Sequence, residues 1–280
     1  MKIKNKFNFF SNVIFRQLPF FYKFYRTPSS KEGIRIMGMI RERNEGILLQ
    51  DSLDHLSQFV DAIVVFDDAS DDNSVAIAMA HPAVVEVVQN RVWRKTNRLW
   101  EETSNRRKLL STARKYNPNW FFYADADERF EGDIKNFLLN ECPDDVNAIR
   151  VSLFDSYITE SDKEPYISGN KLHNFRTYFG PERRDIIMLW RNIKEFNYNV
   201  PDAREPQRIS GKQLIRFYCQ HYGKSLSIEQ WEETCDYYVK YFPKYSEKWL
   251  ARKGKAVHQK SDFDRELYAW ADVKEKSVKI

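Results

Sequence analysis

Trp120, Phe121, Phe122, Tyr123 and Ala124 form an unbroken apolar run that stops at Asp125-Ala-Asp-Glu128. An apolar run this short, without polar alternation, suits a strand covered on both faces of a parallel sheet. Its acids then lie at the carboxyl edge of that sheet, where open α/β folds bind ligands. Carboxylates this close repel one another unless a cation or hydrogen bonds compensate. Hard divalent ions such as Mg²⁺ and Mn²⁺ prefer carboxylate and phosphate oxygens, so Asp-x-Asp after a strand suggests a metal holding a phosphorylated substrate. The same residues also suit a solvated turn leading into a helix from Glu131, with Asp as its N-cap.

The chain around this run alternates strand-like and helix-like stretches. Residues 34–40, 62–66 and 84–88 are expected strands, and apolar residues at helical spacing over 47–59 (Ile47, Leu48, Leu53, Leu56, Phe59) predict an amphipathic helix. A second helix is expected over 99–116, running into the Trp120 strand. This alternation implies an α/β fold with a mostly parallel sheet and helices on both faces. Further strands are expected at 148–154, 185–191 and 214–219, with a polar, mobile loop over 157–170. A helix is expected over 227–241 with Ser227 as N-cap, its Trp231, Cys235 and Tyr238 stripe being core.

At 280 residues there is ample material for a core, and an aromatic content of 15% argues against disorder. The three cysteines (Cys142, Cys219, Cys235) are too widely spaced for a zinc pattern or a disulfide framework, so a reducing, cytoplasmic setting is expected. No apolar run approaches the ~20 residues that cross a bilayer. Residues 1–28 contain Lys2, Lys4, Lys6, Arg16, Lys23 and Arg26, no acid, and many interleaved aromatics. Such an arm suits peripheral contact with an anionic membrane face, or packing on the domain or on a second copy of the chain. No nucleic-acid motif accompanies the charge. The expected organisation is an arm over 1–30, a catalytic domain over 31–225 and a C-terminal helical extension over 226–280.

A second acid cluster, Asp67-Asp68, follows the strand at 62–66, and Arg106, Arg107 and Lys108 form a basic patch on the intervening helix. In a parallel sheet both acid clusters share one edge. One can accept hydrogen bonds from a base or ribose, the other can grip a diphosphate through a metal, and the arginines can meet phosphate oxygens.

The succession Arg43-Asn-Glu45, Val65-Phe-Asp-Asp-Ala-Ser-Asp-Asp72, Asn105-Arg106 and Phe122-Tyr-Ala-Asp-Ala-Asp-Glu128 resembles the family-two glycosyltransferases. The resemblance runs from about residue 34 to 130 and more loosely to 223. It implies the GT-A fold and inverting transfer of a sugar from a nucleotide-sugar, a UDP-sugar by expectation, to a hydroxyl on a glycan or lipid-linked acceptor in glycan or polysaccharide synthesis. Carried over by position, it puts Asp68 on the base with Arg41 beside it, Glu45 and Arg106 near the nucleotide, Asp125 on ribose or metal, and Asp127 on Mn²⁺ or Mg²⁺. His221 matches a third metal ligand. Leu189-Trp-Arg191 followed by Ala203-Arg-Glu205-Pro206 resembles the element that carries the general base, which makes Glu205 the first choice and Asp202 the second. Arg204 stands where a His is common. Two rivals are a phosphoryl-transfer enzyme with Asp125 as nucleophile and a nucleotide- or glycan-binding module without turnover. The absence of Gly-x-Gly-x-x-Gly after the first strand disfavours a dinucleotide oxidoreductase.

Overall fold

The computed structural model of the chain describes residues 21–26 and 33–280. Most of the basic arm, including the membrane contact expected of it, lies outside the described residues. Its described end forms strand β1 (Tyr22–Arg26), antiparallel to the outer edge of β4 (Val84–Asn90).

Four parallel strands carry the first half: β4, β3 (Ala62–Asp67), β2 (Ile36–Glu42) and β5 (Trp120–Ala124), side by side in that order. Their side chains alternate between two covered faces, which is why the sequence shows continuous apolar runs. Ile36, Ile40, Ile63, Val65, Trp120 and Phe122 face one way, onto Leu49, Leu53 and Leu56 of helix α1 (Leu49–Leu56). Met37, Met39, Val64, Phe66, Phe121 and Tyr123 face the other, onto Leu109, Leu110 and Ala113 of helix α3 (Arg98–Ala113). Helix α2 (Ser74–Ala80) joins the first layer through Ala78. Gly38 has a packing reason: a Cβ there would come within 3.1 Å of Ile63 and Leu56, so only glycine lets α1 approach this closely.

Beyond β5 the pairing becomes mixed. β8 (Tyr178–Arg191) runs antiparallel to β5 and to β7 (Val146–Tyr157), β9 (Lys212–His221) runs parallel to β7, and β6 (Glu128–Glu131) closes the order antiparallel to β9. The short strands β10 (Tyr268–Ala269) and β11 (Val278–Lys279) add to β8.

Three local expectations change. Asp125–Asp127 lead into strand β6, not a helix, because Arg129 and Phe130 pair with Gln220 and Cys219. Strand β8 starts well before residue 185, its polar Glu182-Arg-Arg-Asp185 segment having masked an interior strand whose Glu182 is bonded to Ser261. The loop over 157–170 is pinned: Tyr166 is buried with Leu172 and Leu226, and Asp162 is held by Arg176 at 2.9 Å. Helix α4 (Ile228–Tyr241) forms with the Ser227 hydroxyl accepting the Gln230 N–H, and its Trp231 and Cys235 are fully buried.

Candidate active site

Tyr123 and Arg41 lie on the α3 face of the sheet at its carboxyl end. One row of α3 meets them, because Arg98, Glu102 and Arg106 are spaced four apart and share one helix side. Glu102 is the hub, 3.7 Å from each of Arg41, Arg98 and Arg106. At one end of the row Arg98 donates to Asp68 at 2.7 Å; Asn90 donates to its other oxygen at 2.9 Å, and Asp68 has no exposed surface. Burial alone would raise the Asp68 carboxyl, but Arg98 and then Arg41 outweigh it and hold it below the usual range. Trp93 closes this end. Arg43 and Arg98 lie over its ring at 4.4 and 5.1 Å, and Tyr241 of α4 meets it edge-on at 4.7 Å.

At the other end of the row, buried Arg106 donates to the Tyr123 hydroxyl at 3.2 Å, and that hydroxyl donates to Asp125 Oδ1 at 2.8 Å. The second oxygen of Asp125 is paired with Arg204, which also grips Glu128. Glu128 in turn accepts the Asp125 N–H at 2.9 Å. Burial, opposed by His221 and reinforced by Asp127, pushes the Glu128 carboxyl up to about 8. Arg107 and Lys108 do not extend this row: Arg107 donates to the Tyr198 carbonyl at 2.6 and 2.8 Å, and Lys108 lies over the Tyr22 ring.

Asp127 turns to a different set of partners. Its Oδ2 is 3.4 Å from His221 Nε2, across the β6–β9 pairing, while its Oδ1 is buried and accepts no hydrogen bond. Gly223 lines the same spot; a Cβ there would stand 2.5 Å from Asp127 Oδ2 and 2.8 Å from His221 Nε2. Glu45 faces this end too, pushed up to about 8 by burial and then by the Asp127 charge. The turn is anchored from below by fully buried Arg129, which donates to the Ala126 and Glu128 carbonyls at 2.8 and 2.7 Å and pairs with Asp51 of α1.

A carboxylate with one orphaned oxygen, an imidazole nitrogen and a glycine-cleared space beside its other oxygen suit a hard divalent ion. Asp127 and His221 are the residues that fit one. Among the described residues no group of three carboxylate, imidazole or thiol side chains is arranged to hold an ion by itself. Asp125 is taken up by Tyr123 and Arg204.

The two acids expected near the acceptor share the loop of Arg204 but face elsewhere. Both oxygens of Glu205 are engaged by Arg150, at 3.0 and 3.2 Å, and one also accepts the Ile187 N–H of β8. Asp202, in a left-handed backbone conformation, accepts from the Tyr245 hydroxyl and from Lys244 at 3.3 Å. The sequence reading missed Glu102 and Arg98, whose fourfold spacing with Arg106 was the available signal. It also missed Asp155, an isolated acid within an apolar strand.

No family model matches the chain. Two mycobacterial proteins, from Mycobacterium bovis and Mycobacterium tuberculosis and each named only as uncharacterised, are 37% identical over 118 residues, 41% of this chain and 29% of theirs. The chain thus matches less than a third of the length of these relatives. Among solved structures, the mannosyltransferase PcManGT from Pyrobaculum calidifontis, in complex with GDP-Man and Mn²⁺, is 17% identical with a TM-score of 0.42, covering 83% of this chain and 68% of its own. Glucosyl-3-phosphoglycerate synthase from Mycobacterium tuberculosis, with Mn²⁺ and UDP, is 16% identical with a TM-score of 0.30 over 44% of each chain.

Proposed function

We propose that the chain is a metal-dependent, inverting glycosyltransferase of the GT-A, family-two type, moving a sugar from a nucleotide-sugar to a hydroxyl acceptor. The observation that carries this reading is Asp127, its Oδ1 buried without a hydrogen-bond partner and its Oδ2 3.4 Å from His221 Nε2, at the carboxyl edge of a parallel sheet. Asp127 and His221 would hold Mn²⁺ or Mg²⁺, with donor phosphates and water filling the remaining positions as such ions accept. When bound, the ion supplies positive charge to a diphosphate leaving group.

The protein's own groups account for the rest. Arg106 and Arg41 lie beside the donor path, and Arg41 Nε is buried without a hydrogen-bond partner, so a donor oxygen can satisfy it. Asp68 reads the base once Arg98 yields one of its oxygens. Asp125, through Tyr123 and Arg204, sets the position of the ribose side. Glu205 remains our first choice of general base and Asp202 the second, since both stand on the loop that brings Arg204 to Asp125; Glu205 takes up that role by exchanging Arg150 for an acceptor hydroxyl. Acceptors in glycan or polysaccharide synthesis, lipid-linked ones included, suit this chemistry. No described helix is long and apolar enough to cross a membrane.

An aspartyl-phosphate mechanism would need Asp125 to give up Tyr123 or Arg204, as Glu205 must give up Arg150, and trapping a phosphorylated Asp125 would favour it over sugar transfer. The deciding experiment is a thermal-shift and donor-hydrolysis panel of UDP- and GDP-sugars with and without MnCl₂. A donor that stabilises the protein only with Mn²⁺ and is turned over supports the reading. Metal-independent binding of every donor, with no hydrolysis, overturns it in favour of a binding module.

A further inference from the structure

Below the Asp127–His221 pair lies a second carboxylate that the reading above leaves without a role. Strands β7 and β9 run parallel with Asp155 in register with His221, which sets the two side chains side by side. Asp155 Oδ1 lies 2.6 Å from His221 Nδ1, on the side of the ring opposite Asp127. That carboxylate is fixed in turn: Arg184 of β8 donates to the same oxygen at 2.5 Å, and Lys224, only 6% exposed, reaches its other oxygen at 3.3 Å. Lys224 is itself paired with Asp262, which Arg252 also holds. The imidazole is thus clamped between two carboxylates, one rigidly tied to two cations and the other with a free oxygen.

We propose that Asp155 is a positioning residue: it accepts the Nδ1 proton of His221, fixing the ring so that Nε2 is the nitrogen offered to a divalent ion at Asp127. The proposal rests on the cation reading of Asp127 and His221. Its physical basis is that a ring whose Nδ1–H is committed to a fixed carboxylate cannot rotate without breaking a charge-assisted hydrogen bond, so that Nε2 is the nitrogen that gives up its proton and turns to an ion. Outer carboxylates of this kind affect metal affinity by about 10–100-fold. The anchor reaches beyond residue 225, since Asp262 braces Lys224. The C-terminal part of the chain therefore belongs to the mechanical support of the site.

The test is MnCl₂ titration of the full-length chain, reading free ion by its EPR signal, for wild type, Asp155→Asn, His221→Gln and the double variant. Asp155→Asn is expected to weaken Mn²⁺ binding about 10–100-fold, and the double variant to bind no more weakly than His221→Gln, because the first residue acts only through the second. Additive losses, or Mn²⁺ binding by Asp155→Asn within twofold of wild type, overturn the proposal while leaving the cation site standing. Absence of Mn²⁺ binding by the wild type removes both. Should Asp155→Asn fail to fold, the wild type alone decides. With Zn²⁺ as a diamagnetic probe, imidazole ¹⁵N shifts assigned against His221→Gln must show Nδ1 protonated and Nε2 coordinated. Coordination through Nδ1 sinks the idea.

Discussion

Asp68 follows β3 and Asp127 follows β5, two strands of the same sheet with β2 between them, yet their surroundings differ in kind. Asp68 is sealed: Arg98 and Asn90 take both oxygens and no surface reaches solvent. Asp127 keeps 22% of its side chain accessible and one oxygen unpartnered, with an imidazole as its nearest group. A saturated carboxylate contributes to stability and needs an exchange before it can meet a ligand. An unsaturated one costs stability and is ready to accept a cation. The contrast separates an acid whose oxygens are already taken up by the fold from one with an oxygen left over.

The largest effect is expected at the unsaturated end. Asp127→Ala should lower Mn²⁺-dependent sugar transfer by about 10³-fold or more, the scale of removing a main source of charge stabilisation, while lowering the melting temperature by no more than about 2–4 °C, because His221 keeps Asp155 as a partner. Glu205→Gln should instead spare donor and Mn²⁺ binding and lose about 10²–10⁴-fold in transfer, as for removal of a general base. Equal loss of donor affinity in the two variants would collapse this division of labour.

At the sealed end the cost should appear in stability. Arg98→Met leaves Asp68 buried with Asn90 as its remaining close partner, and breaking a buried pair in this way costs about 3–5 kcal/mol. Urea denaturation measures it directly. A loss below about 1 kcal/mol, the range of exposed pairs, would mean that Asp68 is not sealed in solution and that the contrast with Asp127 is overstated.

Much of this edge is legible in the sequence. The runs at Ala62–Phe66 and Trp120–Ala124 are apolar because both faces of their strands are covered, and the acids that stop them mark the edge. Other parts depend on registers that no local pattern encodes. Arg204 reaches Asp125 and Glu128 from a loop after β8, and its presence there turns the first acid of Asp-x-Asp from a free ligand into half of an ion pair. Asp155 meets His221 only because β7 and β9 lie parallel in that register. Strand β6 was hidden for a related reason: Glu128-Arg-Phe-Glu131 is too short and too charged to show a period, and it forms because β9 supplies its partner and Arg129 its anchor on Asp51.

A finer form of the same contrast sets two histidines on either side of β6. His55, from α1, accepts the Phe130 N–H at 2.7 Å through Nε2; burial, then the Arg129 charge, pushes it down to about 3. His221, across β6, would also be lowered by burial, but Asp127 and Asp155 outweigh this and raise it to about 9. The signs are opposite. For His55 the unfolded chain, with a pKa of about 6.5, takes up the proton first, so stability is lost as pH falls below that value. For His221 the stabilising charge is fully present below about 6.5 and is lost as pH rises through 9, a contribution on the order of 1–2 kcal/mol after solvent screening. Urea midpoints in chelator-treated buffer, from about pH 5 to pH 10, should therefore lose their alkaline arm in His221→Gln and soften their acid arm in His55→Gln, which keeps an acceptor for Phe130. An alkaline arm that survives intact in His221→Gln would show that the imidazole carries no stabilising charge between Asp127 and Asp155. The clamp on its ring would then have to be neutral in the metal-free protein.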